Sequence, residues 1–309
     1  MKTILLCNSD RLPIPAVVSL HNTGQLKAIG IPEKAKHVLI PVFVNMGIEP
    51  KNIYTFNKQN IEATLPKLVD EYNAEVIFVM TFPWKLPTSV LTYPPKGCIN
   101  FHFGLLPKYK GADPIFWQLK NVEQAGGIAI HTMTDEIDAG PILLQQTLPV
   151  IRGETYGIHC KRLSTLVPDL LQEVYKKLRE EDQPAPSDKQ GAPASYYKAP
   201  EETDLTINWQ HQSANEIQYL VNAANPRYGG AITSIHQNYI RFLEVMPADL
   251  NTTSESNPGM IVYADALYGL VIQCINKEFL KLNVAQLNEG FFSGSKLFHL
   301  GFKVGDIFV

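Results

Sequence analysis

Over its first 160 residues the chain alternates short apolar runs with helical patterns, and that alternation limits its fold more than anything else. Strands are expected at 2–7, 25–31, 52–56, 75–80, 97–102 and 127–133. Helical spacing fills the gaps near 15–21, 34–46, 60–72 and 114–122, where Ile61, Leu65, Leu68 and Val69 make one apolar face. Strands that are apolar on both faces need helices on both sides. The pattern therefore predicts an α/β fold with a doubly wound, mostly parallel sheet, whose ligands bind beyond the carboxyl ends of the strands. A last helical stretch, 155–179, closes a first domain over 1–182, with Pro168 expected to kink or break it. Residues 183–204, rich in Pro, Ala, Ser and charge, read as a linker. Beyond them Ser213 and Glu216 form a capping box ahead of an amphipathic helix. Short apolar segments between turn residues then indicate a smaller OB-like β-barrel domain over 205–309.

Charge and motif content remove several classes of function. No apolar run approaches the length of a membrane span, and no membrane partner is expected. The four cysteines never form a Cys-x-x-Cys pair, so neither a zinc site nor a redox motif is expected, and reduced thiols fit a cytoplasmic protein. Glycine-loop signatures for dinucleotides and for P-loop phosphates are both missing. From Glu201 onward six Lys and Arg stand against eleven Asp and Glu, although the whole chain carries only −3. A surface built to hold a phosphate backbone would be basic. This one is not.

The polar residues with chemical potential fall in one stretch, 97–141. Asn100 and His102 are two apart on an expected strand, so they share a face. Asp138 follows 36 positions after His102 in an acidic loop, about the length of one strand-helix-strand unit, which would return it to the same end of the sheet. An amide donor and an imidazole side by side suit an oxyanion forming on a carbonyl, and a nearby carboxylate suits proton movement. No serine or cysteine elbow accompanies them, so transfer would be direct. The alternative reading is an ordinary strand end beside an acidic surface turn. His131 is read as packed or solvent-facing, and Trp84 and Trp117 as pocket wall or core.

Read as a whole, CINFHFGLLPKYKGADPIFW followed by IDAGPILL resembles the folate-dependent formyltransferase family, which includes methionyl-tRNA formyltransferase. Asn100, His102, Leu105-Leu106-Pro107, Gly111-Ala112 and Asp138-Ala139-Gly140 carry the match, and INWQHQSANEIQYLVNAANPRYGG resembles the start of that family's C-terminal barrel domain. The resemblance implies a Rossmann-like catalytic domain, 10-formyltetrahydrofolate as formyl donor, a primary amine as acceptor and no metal. It implies that Asn100 and His102 stabilise the oxyanion and that Asp138 supports His102 and helps move the amine proton. Phe82, Trp84, Lys85 and Leu86, with Asp135, Glu136 and Ile137, would line the pterin site. Several positions depart from the methionyl-tRNA pattern. Cys7-Asn8-Ser9-Asp10 replaces the usual Gly-Thr-Pro, Gly104 stands where Ser is usual, Lys110 where Arg is usual, and Asn225-Pro226-Arg227-Tyr228 where Asn-Pro-Trp-Pro is common. The basic loop after the second strand is also missing. With the acidic C-terminal third, these departures favour a small amine, such as one on a nucleotide-linked sugar, over tRNA. Methionyl-tRNA as acceptor, hydrolysis of the same folate with water in place of the amine, and a non-enzymatic folate- or nucleotide-sugar-binding protein are the other readings. Quaternary state is not legible from these residues.

Overall fold

Two compact units make up the chain in a computed structural model that describes residues 1–9, 11–180, 194–250 and 256–309. The first comprises Met1–Pro114, Ala125–Pro149 and Cys160–Tyr197, and the second Ile115–Gln124, Val150–His159 and Lys198–Val309. Two short segments read from sequence as part of the first domain, Ile115–Gln124 and Val150–His159, thus group with the second unit.

A seven-stranded sheet forms the first unit. Its strands are β1 (Thr3–Cys7), β2 (Leu26–Pro32), β3 (Ile53–Phe56), β4 (Val76–Met80), β5 (Cys98–His102), β7 (Ala125–Thr132) and β8 (Ile142–Pro149), in the order β3-β2-β1-β4-β5-β7-β8. A two-residue strand, β6 (Lys110–Gly111), lies outside this sheet. The first five strands are mutually parallel. β1 and β4 are buried along their whole length, as a central parallel strand covered on both faces must be. Helices α1 (Ile14–Asn22), α2 (Lys36–Asn45), α3 (Ile61–Tyr72) and α4 (Thr88–Leu91) fill the connections. The face of α3 predicted from spacing, Ile61, Leu65, Leu68 and Val69, is the face it buries.

Two sequence expectations change here. β7 runs antiparallel to β5, and β8 antiparallel to β7, so the sheet ends in a hairpin instead of another parallel crossover. The long helix α6 (Tyr156–Glu180) also passes through Pro168 without a break. An interior proline costs a helix about 3 kcal/mol. Leu163, Val167, Leu170, Leu171 and Val174 are all buried, and each such side chain contributes about 1.5–3 kcal/mol. Packing outweighs the missing hydrogen bond. Tyr175 anchors the same helix, its hydroxyl 2.5 Å from that of Thr3.

Of the expected linker, residues 183–193 lie outside the described residues. The rest is ordered. β9 (Tyr196–Tyr197) pairs in parallel with β6, and α7 (Glu202–Leu205) opens with its own capping box.

In the second unit α5 (Pro114–Lys120) and α8 (Ala214–Ala224) accompany an antiparallel sheet. The Ser213–Glu216 capping box forms as expected. The sheet strands are β10 (Ala231–Ile235), β11 (Asn238–Ala248), β12 (Ile261–Asp265), β13 (Gly269–Gln273), β14 (Phe279–Leu287) and β15 (Gly290–Ser293), ordered β10-β11-β14-β13-β12 with β15 on β14. A short helix, α9 (Gly294–His299), follows. Trp209, Phe242 and Phe308 meet in its core at ring separations of 5.2–6.1 Å. All four cysteines are buried and unbridged. Among the described residues no helix is long and apolar enough to cross a membrane, and no acidic, His or Cys cluster has the makings of a metal site.

Candidate active site

β5 presents Asn100 and His102 on one face because side chains alternate along a strand. The antiparallel register then sets His131 of β7 directly opposite Asn100. Cross-strand partners share a face, and Asn100 Nδ2 lies 3.2 Å from His131 Nε2. The carboxylate arrives on the loop after β7, past α5, as the sequence suggested, but with β7 antiparallel to β5. Residues 133–141 close the β7–β8 hairpin, with Thr132 N donating to Pro141 O at 3.0 Å. Asp138 occupies this loop with φ 50°, a left-handed conformation uncommon for a residue with a side chain. Its Oδ1 accepts from Asn100 Nδ2 at 3.2 Å and lies 3.3 Å from His131 Nε2. Its Oδ2 accepts from Gly111 N at 2.9 Å and lies 3.4 Å from His102 Nδ1.

Asp138 therefore touches both Asn100 and His102, the other residues singled out from sequence, and His131 joins them. Nothing in a strand of apolar residues marks His131 as polar machinery. The antiparallel pairing with β5 is the signal that would have found it.

Proton positions follow from the partners. His102 Nε2 is 2.8 Å from the Tyr109 carbonyl, which can only accept, so that nitrogen carries a proton. Nδ1 faces Asp138 and gains a hydrogen only when the ring is charged. Burial pushes the His102 pKa below the usual imidazole value; the Asp138 carboxylate opposes this, His131 adds to it, and the Tyr109 carbonyl opposes it. For Asp138, burial acts upward, yet His102, the His131 hydrogen bond and the Gly111 amide outweigh it and hold the carboxyl at about 2. The carboxylate stays ionised, and the imidazole is the member of the pair that takes up a proton. Gly104 makes room for that ring. A Cβ there would fall 2.9 Å from His102 Nε2 and 2.7 Å from Pro114 Cβ.

Beside this cluster the residues expected to line a pterin site divide by exposure. Phe82 and Trp84 are half-buried and edge-to-face at 5.2 Å, packed with Met133 on the apolar cluster that contains Leu65 and Val90. Leu86 is only 1% exposed and belongs to the core. Lys85, Asp135, Glu136 and Ile137 are exposed. The Thr88 hydroxyl donates to the Asp135 carboxylate, tying the acidic loop to the start of α4. An aromatic wall beside a carboxylate and strand-end backbone suits a flat heterocycle that donates hydrogen bonds.

Comparisons with known proteins agree on the lineage. Residues 14–175 match the formyl transferase family and residues 201–297 match the formyl transferase C-terminal domain. Methionyl-tRNA formyltransferase from Carboxydothermus hydrogenoformans is 35% identical over 199 residues, covering 64% of this chain and 62% of that one. Among solved structures, HypX from Aquifex aeolicus in complex with tetrahydrofolic acid superposes with a TM-score of 0.66 at 13% identity, over 97% of this chain and 47% of HypX. A 4-N formyltransferase from Francisella tularensis gives a TM-score of 0.59 at 18% identity, over 75% of this chain and 91% of that one. The matched stretch thus spans about three fifths of the Carboxydothermus protein and about half of HypX. With both family models matched in chain order, this chain belongs to the formyl transferase family.

Proposed function

We propose that the chain transfers the formyl group of 10-formyltetrahydrofolate to a primary amine on a small molecule, such as a nucleotide-linked amino sugar. The observation that carries the reading is the Asp138 carboxylate in contact with Asn100, His102 and His131 at once. Phe82, Trp84 and the backbone through Leu86, with Asp135, Glu136 and Ile137, would hold the pterin, and Lys85 would stand at its rim. HypX, bound to tetrahydrofolic acid, supports a folate on this fold.

In the proposed reaction the amine lone pair forms a bond to the formyl carbon, and the carbonyl π pair moves to oxygen. The Asn100 amide donates to that oxyanion. The amine loses its proton to the His102–Asp138 pair, at Nδ1 of the ring, which leaves a charged imidazole against an ionised carboxylate. Once charged, the ring keeps Nδ1–H toward Asp138 and its positive charge favours the oxyanion. The oxygen pair then re-forms the carbonyl, the C–N10 bond breaks, and N10 receives the proton.

For the acceptor, the relatives point two ways. The Carboxydothermus relative is a methionyl-tRNA formyltransferase, and the Francisella neighbour is a 4-N formyltransferase. The acidic balance after Glu201 supports the small amine, because tRNA affinity draws largely on basic contacts to phosphate. Incubating the chain with 10-formyltetrahydrofolate and a panel of nucleotide-linked amino sugars tests this, with product masses as readout. Formylated sugar is expected. Formylation of methionyl-tRNA alone would overturn the acceptor, and formate released at full rate without any amine would replace transfer by hydrolysis.

A further inference from the structure

The cluster does not hold itself in place. Two of its anchors are backbone atoms, the Tyr109 carbonyl on His102 and the Gly111 amide on Asp138. Both belong to a short irregular stretch in which Tyr109 has φ 57° and Gly111 φ 95°. Such a stretch has little intrinsic reason to stay in one conformation. Its other edge is held by residues 195–197. Tyr109 N donates to Ser195 Oγ at 2.9 Å, Lys110 N to Ser195 O at 2.9 Å, and Ala112 N to Tyr197 O at 2.9 Å. The Tyr109 and Tyr197 rings stack with centroids 5.1 Å apart and planes 9° from parallel. Gly111 is pressed so closely against this segment that a Cβ would sit 2.2 Å from Tyr197 O. One edge of residues 109–112 therefore reads the reacting pair, and the opposite edge reads the segment.

We propose that Ser195 and Tyr197 are positioning residues for the His102–Asp138 pair, acting through the backbone of Tyr109 and Gly111. The reading rests on formyl transfer only where turnover is measured. Ser195 fixes the Tyr109 amide, and so the carbonyl one plane away. Tyr197 fixes the Tyr109 ring and, through its own carbonyl, the peptide that follows Gly111. Because each anchor is a single hydrogen bond of defined length, an ångström of slack in residues 109–111 would let both go together. A misplacement of that size costs about 10²-fold in rate where geometry is tight.

The test compares Ser195→Ala and Tyr197→Ala with Ser195→Thr and Tyr197→Phe in the full chain. The first readout needs no turnover: ring-nitrogen NMR titration of selectively ¹⁵N-labelled histidines. The second is kcat and KM for 10-formyltetrahydrofolate. Both alanine variants are expected to move the His102 midpoint downward, since the carbonyl that favours the charged ring is lost. They should also lower kcat about tenfold with KM within about twofold, and the conservative variants should restore both. Unchanged His102 titration in the folded alanine variants overturns the proposal, as does a lower thermal midpoint with titration and kcat intact. Should an alanine variant fail to fold, Tyr197→Leu, which keeps an apolar side chain without the stack, carries the same expectation. If the wild-type chain transfers no formyl group, the functional reading falls alone and the titration still decides this one.

Discussion

A buried imidazole–carboxylate pair is found in each unit, and the two are built differently. His102 and Asp138 come from a strand and a distant loop, 3.4 Å apart, with side chains 5% and 9% exposed. Glu154 and His159 come from neighbouring turns of chain, 3.2 Å apart, and both side chains are wholly inaccessible. Glu154 also accepts from Ile151 N at 2.9 Å, fastening the approach to α6. Burial is common to both. What separates them is exposure: the Asp138 side chain is 9% open to solvent, whereas Glu154 and His159 are closed off entirely. A buried pair that no reactant can reach is a structural clasp, however strongly its groups perturb one another.

The largest expected effect pits the two carboxylates against each other. Asp138→Asn should lower kcat by about 10²–10⁴ in a chain with native circular dichroism. Glu154→Gln should leave turnover per folded molecule within about twofold and cost about 3–5 kcal/mol in denaturant unfolding. Native turnover in the first, or lost turnover in a folded second, would dissolve the distinction. A smaller effect lies in pH. The His102 pKa sits below its ordinary value near 6.5, so the ring is neutral at pH 7 and takes up its proton only as pH falls. The acid limb of the kcat profile should therefore lie below pH 6.5; a limb above it contradicts the assignment. Asp138 adds stability that is present above its ordinary value near 3.8 and is lost as pH falls toward about 2, which acid unfolding of Asp138→Asn against wild type should expose. The smallest effect belongs to the aromatic wall. Trp84→Ala should raise KM for the folate by about three- to tenfold, from the stacking contribution of one ring, with little change in kcat. A change in kcat alone would move Trp84 from ligand wall to scaffold.

Much of the first unit was legible because its strands are apolar throughout and its helices keep one buried face, as at Ile61, Leu65, Leu68 and Val69. Strand direction was not. A run such as 127–133 reads the same whether it pairs parallel or antiparallel, so the hairpin ending the sheet was invisible, and with it the partnership of His131 and Asn100. Asn100, His102 and Asp138 were found through local motifs, and their contact follows from a loop whose left-handed residue no propensity would assign. Composition misled at 195–197. A segment rich in Pro, Ala and Ser reads as linker, yet Ser195 and Tyr197 are tied by backbone and ring to the loop that holds the cluster. Of the kink or break expected at Pro168, the break is absent for a related reason. Five buried neighbours on the same helix outweigh one local defect.

The hairpin that closes the sheet has an evolutionary consequence. Because Asp138 is delivered by residues 133–141, between two strands paired along their length, its reach is set within one contiguous antiparallel ribbon. Lengthening or replacing the excursion around α5 leaves that span untouched, whereas a single deletion inside it would retract the carboxylate whatever else the lineage preserved. A chain organised this way can rework its other loops while that carboxylate stays where it is.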